Sequence, residues 1–370
     1  MIYFDHNATT PMLPEVIEAM HECMASKFAN PSSLHAAGRL ARAEIDKARE
    51  TLAEFVNAHP SQVIFTSGGT ESNNLALKGC VEGMRIKHFA CSAIEHPSVL
   101  DVSRQFSSDV DVTVLDVKAD GSLDLENFKQ YCASRPDKAL ISVMHANNET
   151  GLIQNIAEVA SVAKSSQHIL HTDAVQALGK ITVDFRQLDA HLLSLSAHKL
   201  NGPKGIGALI YDKAVNIKPL LHGGGQEKGL RSGTENVAAI VGFAKAVEIA
   251  KQTYEQKSQH ILRVRNYLEE GLRKLPGVEI FAEQSSRLPN TIFFGTPGID
   301  GETLLMQFDS HDIALTSGSA CSSKSGKPSH VLMAMGVDET LARSAIRISL
   351  GADTTREEAD KFLYVLGQQV

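Results

Sequence analysis

Two rhythms of apolar and polar positions divide this chain. Apolar residues three or four apart predict amphipathic helices. They include Val16, Ile17, Met20 and Met24 in 15–24, and Leu40, Ile45, Ala48, Leu52 and Phe55 in 36–56. Short apolar runs predict buried strands at 62–66, 88–94, 112–117, 139–144, 169–170, 192–195 and 206–211. Helices are expected between them at 97–106, 123–132 and 156–163, so strand and helix alternate as in βαβ units around a mostly parallel sheet. Residues 1–14 read as an irregular lead-in and 28–35, FANPSSLH, as a loop. After a long Gly-rich connection at 222–234 come two helices, 237–250 and 261–275. Strands at 278–281, 291–294 and 346–349 follow, with helical segments at 303–308 and 331–335 and a terminal helix from Glu357. This order predicts a large α/β domain over 15–252 and a smaller α+β domain built from 1–14 and 253–370.

Composition narrows the function classes. The 370 residues are 43% hydrophobic and 21% charged, the profile of a folded globular protein. A net charge of −7 with no basic block argues against tight nucleic-acid binding. No apolar run is long enough to span a bilayer; the nearest, 237–250, carries Lys245 and Glu248 and reads as amphipathic. The first residues lack the basic stretch and apolar core of a signal peptide, so a cytoplasmic protein with free thiols is expected. The five cysteines show no spacing that suits a metal, and no metal site is expected, with Cys321 left as a candidate cluster ligand. Cys23, Cys80, Cys91 and Cys132 fall in helix or strand patterns as small buried hydrophobes. Cys321 sits among Ser317, Gly318, Ser319, Ala320, Ser322 and Ser323, a composition expected to form an exposed, mobile loop with a reactive thiol.

Candidate chemistry gathers at strand ends. The strand at 62–66 runs into a turn, Ser67-Gly68-Gly69-Thr70-Glu71-Ser72, with a helix expected from Asn73. Strand, Gly-rich turn and helix N-terminus suit a phosphate. Glu95-His96, Asn147-Asn148-Glu149 and Asp173 to Gln176 end three other strands, and Lys199 follows another. In an open parallel sheet that edge binds ligands. An acid and a lysine there suit pyridoxal phosphate, whose aldehyde condenses with an amine and whose ring nitrogen pairs with a carboxylate.

The motifs DHNATTP (5–11), SGGTES (67–72), EHPSV (95–99), NNETG (147–151), HTDAVQALGK (171–180), SAHKLNGPKGIG (196–207), HGGGQEKGLRSGT (222–234), SGSACSS (317–323) and AIRISLG (345–351) span the chain. In this order it resembles the pyridoxal-phosphate-dependent cysteine desulfurases of the class V aminotransferase family, in the NifS/IscS-like group I. The resemblance implies fold type I, with a mostly parallel seven-stranded sheet in the large domain and the catalytic cysteine loop in the small one. It implies that Lys199 carries the cofactor, that Asp173 pairs with its ring nitrogen, and that His96 stacks over the ring and moves protons. Gln176 and Asn148 would bond around the ring; Gly69, Thr70, Ser196 and His198 would hold the phosphate, completed by Thr234 from the partner of a homodimer. Arg347 would clamp the carboxylate of L-cysteine, with Asn30 and Asn148 beside it. Cys321 would take the sulfur as a persulfide and pass it to a protein acceptor.

Ala197 stands where many members of the family have glycine. The chain ends at Val370, soon after Arg347, whereas the iron–sulfur assembly members have a longer tail that helps dock the scaffold protein. Iron–sulfur assembly and tRNA or DNA thiolation therefore both stand as destinations of the sulfur. Selenocysteine lysis and transamination are the competing reactions on the same fold. A non-catalytic scaffold has no need for Lys199, Asp173, His96 and Cys321 together.

Overall fold

A computed structural model describes residues 1–106, 109–318 and 327–370. Seven strands form the main sheet in the order Val63–Thr66, Gly207–Tyr211, Leu192–Ser196, Ile169–Asp173, Ala139–Ser142, His88–Ser92 and Asp111–Leu115. Only Gly207–Tyr211 runs against its neighbours; the other pairs are parallel. The reversal has a simple cause. A parallel return needs a crossover of about a dozen residues or more, usually with a helix. The connection 197–206 is too short and too rich in Gly and Pro for one. Helices cover both faces, so the central strands are wholly buried, their polar side chains included.

Three expectations need correction. The lead-in is not irregular throughout: Ile2–Tyr3 pairs in parallel with Ile313–Ala314, and Phe4 beside it is buried. The phosphate-type turn is shorter than expected. The helix Gly69–Met84 begins directly after Gly68, with Glu71 in a first turn that favours acid. The two helices at 237–250 and 261–275 are one helix, Val237–Leu272. The polar stretch between them, KQTYEQKSQH, has no Gly or Pro, and its Lys and Gln are good helix formers, so the helix runs through it. The division at 252/253 thus falls inside a continuous helix. Its first half packs Ile240, Phe243 and Val247 with Val16, Ile45 and Leu193 against the main sheet. Its second half packs Val264, Leu268 and Leu272 with Phe294, Phe308 and Phe362. There Thr291–Gly295 is the centre of a three-stranded antiparallel sheet, between Ile346–Ser349 and Glu279–Ile280.

The Gly-rich connection at 222–234 holds a short helical turn, Glu227–Gly229, and is fastened from below. Arg49 Nη1 and Nη2 donate to Glu227 Oε2 and Oε1 at 2.8 and 2.6 Å. The Phe65 N–H donates to Glu227 Oε2 at 2.8 Å. Both side chains are buried. Removing one member of such a pair leaves the other charge unpaired and costs about 3–5 kcal/mol. Glu227→Gln is therefore expected to lower urea-unfolding stability by about 3 kcal/mol. Arg49→Met in the same chain is expected to recover part of that loss. A loss below about 1 kcal/mol would mean that solvent reaches the pair.

Candidate active site

The C-terminal ends of the parallel strands open into a cavity of about 280 Å³. Gly69 and Thr70 reach it from the start of their helix, Ser196, His198 and Lys199 from the end of Leu192–Ser196, and Asp173 and Gln176 from the end of Ile169–Asp173. His96, Asn148 and Arg347 also line it, as do Asn7 and Asn73.

The helix start is open for an anion. The first N–H groups of a helix, here those of Gly69, Thr70 and Glu71, lack intrahelical acceptors, and Gly68 has no side chain to cap them. The buried Ser196 hydroxyl beside them has no partner among the described residues. Backbone must come close here. A Cβ on Gly69 would lie 2.7 Å from Val175 Cγ2, and one on Gly207 would lie 2.7 Å from Gly68 Cα. Arg231 of the Gly-rich connection donates through Nε to Glu71 Oε1 at 2.9 Å. Burial raises the Glu71 carboxyl, but Arg231 and Ser67 outweigh it and hold it below its usual range.

Asp173 is oriented by two donors. Its Oδ1 accepts from the Val175 N–H at 2.9 Å and its Oδ2 from Asn73 Nδ2 at 2.7 Å. Asn73 Nδ2 also donates to Ser98 Oγ at 2.8 Å, and Ser98 holds His96. The Ser98 N–H donates to His96 Nδ1 at 3.1 Å. In the neutral ring the proton then sits on Nε2. Burial lowers the His96 pKa, with Asp173 opposing and Lys199 adding to the fall. Glu95, wholly buried beside it, is pushed up to about 8, first by burial and then by Asp173.

The amine and the guanidinium are held by the lead-in. Lys199 Nζ donates to the carbonyls of Asn7 and Ala8 at 2.5 and 2.7 Å. Arg347 lies in Ile346–Ser349, and its apolar neighbours pull the strand into the core. Its Nη1 donates to the Asn148 carbonyl and its Nη2 to Asp5 Oδ1, both at 2.8 Å. Its Nε has no partner among the described residues. The Arg347 N–H donates to the Thr316 carbonyl at 2.8 Å, and Ser329 Oγ donates to Glu149. The chain on both sides of 319–326 therefore meets this edge.

The cavity brings together Gly69, Thr70, His96, Asn148, Asp173, Gln176, Ser196, His198, Lys199 and Arg347. Asn30 does not line it; its Oδ1 accepts from the Ser32 N–H within its own exposed turn. Thr234 is exposed at the end of the Gly-rich connection, away from the chain's own cavity. Cys321 lies outside the described residues. Asn7, Asn73 and Lys180 were not singled out from the sequence. Asn73 lies one helical turn beyond the helix start at Gly69, and Asn7 and Lys180 sit in quoted motifs, so only their partners were missing.

The class-V aminotransferase family model matches residues 2–362. The cysteine desulfurase IscS of Dictyoglomus turgidum is 43% identical over 369 residues, covering 99% of this chain and 93% of that protein. A NifS-like protein from Rickettsia africae has a TM-score of 0.92 at 36% identity, covering 100% of this chain and 99% of the other. A structure of SspA in complex with cysteine has a TM-score of 0.84 at 36% identity, covering 96% and 100%. A match of this extent, on a cavity with this set of residues, places the chain in the class-V aminotransferase family, among its NifS/IscS-like, pyridoxal-phosphate-dependent cysteine desulfurases.

Proposed function

We propose that this protein converts L-cysteine to L-alanine and holds the sulfur as a persulfide on Cys321 for a protein acceptor. The observation that carries the reading is one cavity that presents a lysine amine, a doubly bonded aspartate and an uncapped helix start. The residues fit pyridoxal phosphate: the free Gly69, Thr70 and Glu71 N–H groups and the unpartnered Ser196 hydroxyl suit its phosphate, with His198 beside them. Asp173 would face the ring nitrogen, and Gln176 and Asn148 the ring's polar edge. When bound, the cofactor supplies an electron sink for charge developing at the substrate Cα.

The chain's own residues do the rest. Lys199 anchors the cofactor through its amine and, when free, takes the Cα proton. Arg347 offers a guanidinium N–H to the substrate carboxylate. The neutral His96 ring moves a proton at the substrate sulfur. The Cys321 thiolate attacks that sulfur; the Cβ–S bond breaks and an S–S bond forms. One thiol hydrogen ends on the new methyl group of alanine and the other on the persulfide, so no outside oxidant or reductant is consumed. The flanking residues that meet the cavity edge support access of Cys321 to it.

Two supports favour a homodimer in which Thr234 completes the partner's phosphate cradle. Phe28, Leu34 and Leu40 are large exposed hydrophobes. Arg42, two residues beyond Leu40, pairs with Glu235 at 2.8 Å, which puts exposed Thr234 beside the same helix. Asn30, in that loop, would act from the same side. We assign 15–252 and 1–14 with 253–370 to the two lobes around the cavity. Among the described residues no helix is long and apolar enough to cross a membrane. A cytoplasmic enzyme that serves iron–sulfur assembly or a thiolation pathway fits these features.

Lys199→Ala is expected to abolish the visible cofactor band. Cys321→Ser is expected to keep the band and to lose sulfide and alanine formation by at least about a hundredfold, as for a lost nucleophile. Wild-type sulfide release from Cys321→Ser would sink the persulfide step. Burial pushes Cys80, Cys91 and Cys132 up to about 12 and raises Cys23, so little of each is thiolate near neutral pH. Iodoacetamide is accordingly expected to label the native protein at Cys321 alone and the unfolded protein at all five cysteines, as read by mass spectrometry. Labelling of the other four in the native state would contradict their burial.

A further inference from the structure

The Gln176 side chain is gripped at both ends. Lys180 Nζ donates to its Oε1 at 2.7 Å, and its Nε2 donates to the Asn7 carbonyl at 2.9 Å. The Asn7 carbonyl can only accept and the Lys180 ammonium can only donate, so the amide has a single orientation. An amide nitrogen carries two hydrogens. The Asn7 carbonyl takes one, and Gln176 lines the cavity, where the other has no acceptor among the described residues.

Lys180 is in turn held from elsewhere. Its Nζ also donates to Asn7 Oδ1 at 2.9 Å, and Asn290 Nδ2 donates to the same oxygen at 3.0 Å. Asn7 Nδ2 donates to Thr291 Oγ1 at 2.9 Å and to the Asn148 carbonyl at 3.2 Å, which fixes the Asn7 amide as well. The groups facing the Lys180 amine are mostly basic. Burial, then Lys199 and Arg347, push its pKa well down, and it depresses His6 and His198 in return. No carboxylate lies within 4.0 Å of its Nζ among the described residues. A neutral amine still has two hydrogens to give, so both bonds survive its deprotonation.

We infer that Lys180 is a positioning residue: it sets which end of the Gln176 amide faces the cavity, so that the cofactor ring oxygen meets an N–H donor and not a carbonyl. This rests on the cofactor reading above and extends it to a residue that does not line the cavity.

The test is a double-mutant cycle on the full-length protein loaded with pyridoxal phosphate, using Lys180→Met, Gln176→Ala and both together. Two quantities are read: the pH midpoint of the visible band and the cofactor dissociation constant. Lys180→Met is expected to weaken cofactor binding about tenfold. It is expected to move the midpoint by about half a unit or more, in the same direction as Gln176→Ala. The double variant should go no further than Gln176→Ala, and Lys180→Arg, which keeps two donors, should restore the midpoint. An unmoved midpoint in Lys180→Met, or effects that simply add in the double variant, would overturn the inference. Should Lys180→Met fail to fold, Lys180→Leu, which likewise has no donor, is read against the same two criteria. If the unsubstituted protein binds no cofactor and shows no visible band, the cofactor reading itself is overturned and the inference falls with it.

Discussion

A buried amide that cannot leave a donor or an acceptor unpaired organises this site, and Asn7 is that amide. Burying such a group unbonded costs about 1–3 kcal/mol per lost partner. Asn7 is 1% exposed and meets the requirement with groups from distant parts of the chain. Its side chain takes Asn290, Thr291 and Lys180, and its carbonyl takes Lys199 and Gln176. The lead-in is thereby drawn between the two packed layers, and the groups proposed for catalysis are tied to it. Arg347 follows the same logic through Asp5, two residues earlier. Positions that would be an untidy terminus in another fold become the crosspiece between the sheet edge and the antiparallel strands.

The second organising feature is a run of relayed orientation on the other side of the cavity. Val175 and Asn73 set Asp173, Asn73 also sets Ser98, and Ser98 sets His96. Asn73 Nδ2 gives one hydrogen to each of its two acceptors, Asp173 Oδ2 and Ser98 Oγ. The acid and the imidazole are therefore aligned by the same asparagine, which lies on the helix whose first turn opens toward the anion site. Polar bonding continues beneath them in the sheet. His171 bonds Ser142 Oγ and Ser194 Oγ across three adjacent strands, at 2.8 and 3.0 Å, and burial lowers its pKa to about 4. A neutral imidazole there satisfies both hydroxyls without placing a charge in the core.

Most of the architecture was legible because the strands are short, apolar and bounded by polar clusters. Every run predicted in 62–211 corresponds to a strand within two residues at its start. Local pattern failed where the deciding partner is remote. Ile2–Tyr3 is a strand only because Ile313–Ala314 lies beside it, and nothing in the first residues announces that. The stretch 251–260 fell between two predicted helices because it lacks an apolar stripe, although its residues favour helix. At the site, Lys199, Asp173 and His96 stood out as reactive side chains at strand ends. Asn73 and Asn7 are unreactive amides, and Lys180 resembles any surface lysine until its two acceptors are seen. Orientation is a property of pairs, and a single sequence read along its length shows one member at a time.

The unbroken 36-residue helix carries a geometric obligation of its own. A helix turns about 100° per residue, since 3.6 residues complete a revolution. Its two ends are locked into different cores, so the spacing between Val247 and Val264 sets a rotational phase between them. Substitutions along the solvated middle leave that phase intact. Deleting or inserting one residue there would twist one end against the other by more than a quarter of a turn, and a stretch with the composition of a spacer thus behaves as a keyed shaft.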